Sequence, residues 1–131
     1  MPLHKRVSHA VLQSRITVVE ARIRSCGTLD CLEKAGLKVQ RLEADVTAAS
    51  AGARLVMQIL NGEITGFGRY SELVRSTKAS DIAAVERLSK EETARWLDLG
   101  VQLGRIATLK RLLQVIHYQT TITSRKSKLD I

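Results

Sequence analysis

Residues 32–60 read LEKAGLKVQRLEADVTAASAGARLVMQIL, and this stretch decides the fold. Its small and aliphatic residues follow one another at steps of three and four positions without a break. On an α-helix such steps place all of them on a single stripe. One helix cannot bury that stripe alone, so the stretch predicts a partner helix in this chain or in another. The stripe consists of Leu32, Ala35, Val39, Leu42, Val46, Ala49, Ala53, Val56 and Leu60.

A second stripe with the same spacing comes before it. The two stripes are out of phase, and Gly27 stands between them, followed by the candidate N-cap residues Thr28 and Asp30. This pattern favours two antiparallel helices joined by a turn; the alternative is one long helix that kinks where the phase slips. The second stripe consists of Leu12, Ile16, Val19, Ile23 and Cys26.

The second half of the chain is predicted to contain a loop and further helices. Residues 61–70 include three glycines, which disfavour a helix. The spacing of Ser89 and Glu92 is that of a capping box, which indicates either a further helix or the continuation of a short one. The most apolar helix is predicted over residues 91–121, central in the bundle. The Thr and Ser residues after position 118 favour fraying.

The predicted fold class is all-α. We expect a helical bundle built on a long antiparallel helical hairpin, with a long C-terminal helix packed on it. The length of 131 residues fits a single domain. Within it we expect a flexible arm (1–7), the helical hairpin (8–60), a glycine-containing loop with short turns (61–80), helices (81–121) and a basic tail (122–131).

Positive charge is concentrated at the two ends of the chain. The formal net charge is +8 and the isoelectric point about 10. Residues 1–28 contain five Lys or Arg and one acidic residue, residues 105–131 contain six and one, and the middle is nearly neutral. This excess predicts an anionic partner, such as phosphate, an acidic protein or an anionic membrane surface. The alternative is a basic surface that only keeps the protein soluble.

The charge pattern supports nucleic-acid binding as one function. Aromatic residues make up only 3% of the chain, so stacking on bases is disfavoured, and contact would be with DNA or RNA phosphates. No helix-turn-helix spacing is evident, so base-specific readout is not expected. The candidate contacts for nucleic acid or another anionic partner are Arg15, Arg22, Arg24, Arg105, Lys110, Arg111, Arg125, Lys126 and Lys128.

The apolar pattern favours protein assembly instead, as a coiled-coil oligomer or a subunit of a larger complex. Gly100 and Gly104 each cost a helix about 1 kcal/mol relative to alanine, which close packing on residues 48–53 would offset. Phe67 and Tyr70 could anchor a partner, or fold back onto the end of the bundle. The predicted helix-packing interface consists of Val39, Leu42, Val46, Ala49, Ala53, Val56, Gly100 and Gly104.

Two cysteines, Cys26 and Cys31, bear on the compartment. They could form a disulfide only if residues 27–30 make a turn. Two cysteines do not make a disulfide-rich secreted scaffold, so we expect an intracellular, reducing compartment such as the cytoplasm. The alternative is a cleaved presequence, because the N-terminus is basic and has no acidic residue before Glu20.

No pattern in the chain predicts catalysis. His4, His9, Cys26 and Cys31 have spacings that zinc tolerates, but the histidines lie on the predicted arm, so no metal is expected. There is no nucleophile elbow, P-loop or dinucleotide fingerprint. The sequence therefore predicts a protein that is not an enzyme, with no cofactor and no small-molecule substrate. No run of 18 apolar residues occurs, so no transmembrane segment is expected.

Overall fold

The structure, a computed structural model, describes residues 9–66 and 68–129, without the side chains at 124 and 126–129. These residues form four α-helices and no strand, which confirms the all-α prediction. The helices are α1 (His9–Ser25), α2 (Leu29–Leu60), α3 (Arg69–Arg75) and α4 (Ala79–Leu129).

The turn between α1 and α2 lies where the two stripes slip in phase. The N–H of Cys26 donates to the carbonyl of Ile23 at 3.2 Å and closes α1. The hydroxyl of Thr28 accepts the N–H of Cys31 at 3.1 Å, so Thr28, and not Asp30, caps α2. A disulfide joins Cys26 to Cys31 across this turn, with 5.5 Å between the Cα atoms. The two helices are therefore separate, as the phase slip predicts.

The end of α2 at Leu60 is a Schellman motif, and it coincides with the predicted end of the hairpin at residue 60. Gly62 has a φ of 74° and donates its N–H to the carbonyl of Ile59 at 3.1 Å. The N–H of Glu63 donates to the carbonyl of Gln58 at 2.9 Å. These two bonds satisfy carbonyls that the helix end would otherwise leave unpaired.

The start of α4 is held by side-chain hydrogen bonds. The hydroxyl of Ser76 donates to Asp81 Oδ2 at 2.6 Å and accepts the N–H of Lys78 at 3.2 Å. Ser89 does not begin a further helix, because α4 runs through it without interruption. Its hydroxyl donates instead to Asn61 Oδ1 at 2.7 Å, which ties α4 to the end of α2.

The C-terminal part of α4 is longer than predicted. The helix continues to Leu129, so the predicted end near residue 121 is wrong. The threonines that were expected to fray it are accommodated inside it. The hydroxyl of Thr121 donates to the carbonyl of His117 at 2.9 Å, and that of Thr123 to the carbonyl of Gln119 at 3.0 Å. When a threonine hydroxyl bonds to the carbonyl four residues earlier, its hydrogen bond is made within the helix, so it does not favour a turn in place of the helix.

The chain divides into two compact units. We call Thr47–Val101 the loop unit, and residues 9–46 with 102–129 the hairpin unit. In the hairpin unit, Arg15 of α1 pairs with Asp45 of α2 at 2.7 Å. Because α1 and α2 are also joined by a short turn, this pair means that α1 runs back along α2. Lys110 of α4 pairs with Glu43 of α2 at 3.0 Å.

Each unit has its own aliphatic core. In the hairpin unit, both stripes are buried along α1 and α2, as their spacing predicts, and α4 contributes Ile106 and Leu109. In the loop unit, the α2 stripe continues as Ala53, Val56 and Leu60, and α4 contributes Leu99. Burial of such side chains contributes on the order of 2 kcal/mol each to folding. The hairpin-unit core on α1 and α2 consists of Leu12, Ile16, Val19, Ile23, Leu32, Ala35, Val39, Leu42 and Val46.

The long helix α4 is not buried on all sides, so its predicted central position is not what the structure shows. Leu97 and Val101 are exposed in the loop unit, and Val115 and Tyr118 are exposed in the hairpin unit. The sequence pattern shows that these positions are apolar, but it cannot show whether another helix covers them. None of the four helices in the described part of the chain combines the length and the apolar character that a membrane crossing requires.

Candidate functional site

A basic groove lies between α1 and α2 in the hairpin unit. Its volume is about 320 Å³. Four cationic side chains line it, together with the hydroxyl-bearing Ser14, the exposed Val18 and the buried Val19 and Leu42. No acidic side chain among the described residues lines it. We call it the α1/α2 groove, and its cations are Arg15, Arg22, Lys38 and Arg41.

Helix periodicity explains why these four cations share one groove. Each of them directly precedes a buried residue of its own helix, so each flanks the core instead of pointing away from it. Arg15 and Arg22 are seven residues apart on α1, which is about two turns and returns to nearly the same side. Lys38 and Arg41 are three apart on α2, which also leaves them close together.

The pairing of these cations is uneven. Arg15 forms the 2.7 Å ion pair with Asp45, and both side chains are partly exposed, so the pair contributes about 1 kcal/mol or less to stability. Arg22, Lys38 and Arg41 have no carboxylate within 4 Å among the described residues. The groove therefore carries an excess of three uncompensated cations.

The other predicted contacts on α1 and α4 do not gather in one place. Arg24 lies on the other side of α1 from Arg22 and pairs with Glu20 at 3.3 Å. Arg105, Lys110 and Arg111 are spread around α4, because successive residues of a helix turn by about 100°. Lys110 is already engaged by Glu43.

The C-terminal candidates are only partly visible. Arg125 is exposed near the end of α4. Lys126 and Lys128 lie on the same helix, but their side chains are outside the described residues. Their role as anionic-partner contacts stays a prediction.

The predicted helix-packing interface is largely internal. Val39, Leu42 and Val46 are buried in the hairpin unit, Ala53 and Val56 in the loop unit, and Ala49 is half-buried. These residues serve the folded chain itself.

The structure leaves open space beside Gly100 and Gly104. Both glycines are exposed, and a Cβ built on either would meet no atom within 4 Å. The predicted packing of these two glycines on residues 48–53 stays a prediction.

The loop unit contains a second, smaller cavity, and of the two predicted anchors only Tyr70 is among the described residues. Tyr70 is half-buried, and Phe67 lies outside the described residues. The cavity has a volume of about 220 Å³ and is lined mainly by aliphatic side chains and glycines, with Ser71 and Arg75. The buried hydroxyl of Ser71 has no hydrogen-bond partner among the described residues, and it lies 3.1 Å from where a Cβ on Gly66 would stand. A side chain at position 66 would therefore require the Ser71 hydroxyl to shift by a few tenths of an ångström.

Sequence reasoning missed Lys38 and Arg41. Both lie in the nearly neutral middle of the chain, so a search for basic segments passes over them. A signal was present: like Arg15 and Arg22, each stands immediately before a residue of the apolar stripe. A cation stands directly before a buried residue on both α1 and α2. These cations reach a common edge only if the two helices run antiparallel, as the Arg15–Asp45 pair indicates.

Metal binding finds no support in the geometry. Among the described residues, no group of three or more His, Cys, Asp or Glu is arranged to hold a metal ion. Cys26 and Cys31 are bonded to each other, and His4 lies outside the described residues. The reducing compartment stays a prediction.

Comparison with known proteins gives no family. No family model matches the chain, and neither a curated protein nor a solved structure is detectably similar to it. Any function must therefore be argued from the residues and surfaces of this chain.

Proposed function

We propose that this chain is a non-enzymatic subunit or adaptor of a protein assembly, and that its basic residues contact an anionic partner. The arrangement behind the proposal is the antiparallel hairpin of α1 and α2 with α4 packed along it. A partner helix would then cover the side of α4 that stays exposed. The partner is a second copy of this chain or a subunit of a larger complex.

The observation that carries the proposal is an exposed apolar patch on α4. Leu97 and Val101 are one turn apart, and 58% and 63% of their surfaces are exposed. Gly100 lies between them with open space where a side chain would stand. We call these three residues the α4 patch. Aliphatic side chains beside a glycine allow a second helix to approach closely, and neighbouring exposed apolar residues commonly mark a contact with another protein.

The first test is the mass of the protein in solution. The wild type should show a mass by light scattering that rises above the monomer value with concentration. Leu97→Lys combined with Val101→Lys should return it to the monomer, because two charges cannot be buried in an apolar contact without partners. Both positions are exposed in the single chain, so at concentrations where the wild type is monomeric the thermal unfolding midpoint should hardly change.

A matched control is Leu37→Lys, another exposed leucine, at 62%, on α2. It should leave the mass unchanged. A wild type that stays monomeric at all concentrations, and that recovers no defined set of proteins from native lysate, would contradict the assembly proposal. Loss of association in the control as well would remove the α4 patch as its location.

A second candidate function is contact with DNA or RNA phosphates without base-specific readout. The α1/α2 groove favours it, because three uncompensated cations line one surface. Binding of this kind releases counterions and weakens steeply as salt rises. The wild type should therefore be retained on immobilised duplex DNA at low salt and elute at moderate salt. Arg22→Glu with Arg41→Glu should elute at lower salt.

The control for this second candidate keeps the charge change and moves it elsewhere. Arg87→Glu with Lys90→Glu alters the net charge equally, but Arg87 and Lys90 pair with Glu91 and Glu86 on their own helix. Equal elution of the two double variants would show that overall charge, and not the groove, causes retention.

A further inference from the structure

The ion pair of Arg15 and Asp45 fixes the level at which α1 passes α2. Residues seven apart on a helix return to nearly the same side, about 10.5 Å further along the axis. Seven residues from Arg15 toward the turn is Arg22, and seven residues from Asp45 toward the same turn is Lys38. Because α1 and α2 run in opposite directions, Arg22 and Lys38 reach the same level. Both line the α1/α2 groove, as this register requires.

At one level of the hairpin, Arg15 lies opposite the carboxylate of Asp45. At the next level toward the turn, Arg22 lies opposite Lys38, so two cations face each other there. Residues that flank a helix–helix contact usually pair with opposite charge. Here Arg22 and Lys38 have the same sign, and Arg41, about one turn from Lys38, adds a third cation to the groove. Like charges brought together by the register repel each other, and an anion placed between them would reverse that effect.

We infer that the α1/α2 groove is a binding site for a phosphate group, held by Arg22 from α1 and by Lys38 and Arg41 from α2. A phosphate monoester carries nearly two negative charges and three acceptor oxygens, which suits a planar guanidinium on one side and an ammonium on the other. The hydroxyl of Ser14 is a further donor on the groove wall. This site deepens the anionic-partner part of the proposed function and rests on that part alone.

The groove also has room for the organic part of a phosphate ester. Its volume of about 320 Å³ lies at the lower end of the range for small-molecule sites. Val18, with 61% of its surface exposed, and the buried Val19 and Leu42 supply an apolar wall beside the cations. The phosphate could belong to a free phosphate monoester or to a nucleic-acid backbone. A backbone phosphate is a diester with one negative charge and two free oxygens, so it would contact the same cations through fewer oxygens.

The decisive variant is Lys38→Glu, because it should change stability and binding in opposite directions. It places a carboxylate opposite Arg22, so the ligand-free protein in a chloride buffer should unfold at a higher temperature than the wild type. A variant that unfolds at a higher temperature is folded, so its loss of binding cannot be blamed on unfolding. Arg22→Gln is a second variant that removes one phosphate contact without adding a negative charge.

Binding is measured with two probes, inorganic tripolyphosphate and a mixed-sequence DNA duplex, by calorimetry and by thermal unfolding. Tripolyphosphate should raise the unfolding midpoint of the wild type by a few degrees at saturation. Lys38→Glu should weaken binding by on the order of tenfold or more, which is the effect of losing about 1.4 kcal/mol. The control Lys90→Glu makes the same change on α4, in the loop unit and outside the groove, and should bind within about twofold of the wild type.

The outcomes separate the two sources of phosphate. Tripolyphosphate binding that Lys38→Glu removes and Lys90→Glu keeps supports the site with a small phosphate ester as ligand. The same pattern with the duplex alone supports the site with a nucleic-acid backbone as ligand. If neither probe distinguishes Lys38→Glu from Lys90→Glu, the inference is overturned. Light scattering measures assembly independently of phosphate binding. Failure of the phosphate site would therefore not decide whether the assembly role is correct.

Discussion

Replacing Gly62 or Gly104 by alanine should change the free energy of unfolding in opposite directions. Gly62 has a φ of 74° at the end of α2, a conformation that costs a residue with a Cβ about 1 kcal/mol or more. Gly104 lies inside α4 with open space around its missing side chain. We predict that Gly62→Ala lowers the free energy of unfolding by about 1 kcal/mol, and that Gly104→Ala raises it by a similar amount.

Urea unfolding followed by circular dichroism measures both changes in one series. Each glycine serves as the control for the other, because the chemical change is identical and only the backbone conformation differs. A destabilising Gly104→Ala would mean that another chain already occupies the space beside this glycine. A neutral Gly62→Ala would contradict the left-handed turn at the end of α2.

At the scale of elements, the turn between α1 and α2 should depend on its disulfide. The bond closes a loop of about six residues, for which the chain-entropy relation gives roughly 2 kcal/mol of stabilisation. We predict that Cys26→Ser with Cys31→Ser lowers the free energy of unfolding by about that amount. Reductant should lower the unfolding midpoint of the wild type and leave the double variant unchanged. A wild type insensitive to reductant would show that the bond does not stabilise the hairpin.

The elements also show which parts of the fold could be predicted from the sequence. The buried stripes on α1 and α2 follow from spacing alone, and the ends at Thr28 and Gly62 follow from local backbone chemistry. The length of α4 could not be predicted in the same way. Thr121 and Thr123 have intrinsic preferences that oppose a helix, and whether their hydroxyls bond back to the preceding turn is decided by side-chain geometry.

For the whole molecule, the candidate sites depend on which helices lie side by side. A basic segment can be read from composition, but the α1/α2 groove needs Lys38 and Arg41 from a nearly neutral segment. They join Arg15 and Arg22 only through the register of two helices. The α4 patch could not be predicted from the sequence either. The sequence shows that Leu97 and Val101 are apolar, but only the structure shows that they are exposed. Local patterns thus predict the core well, and surfaces formed by two elements poorly.

The neighbouring Arg22 and Lys38 also have a practical consequence at the bench. If the α1/α2 groove binds phosphate as inferred, purification in phosphate or sulfate would fill it before an assay begins. Such a preparation would unfold at a higher temperature than one kept in chloride and an amine buffer. It would also be retained less strongly on a cation-exchange resin. Two laboratories that use these different buffers would then report different unfolding temperatures and different resin retention for the same protein.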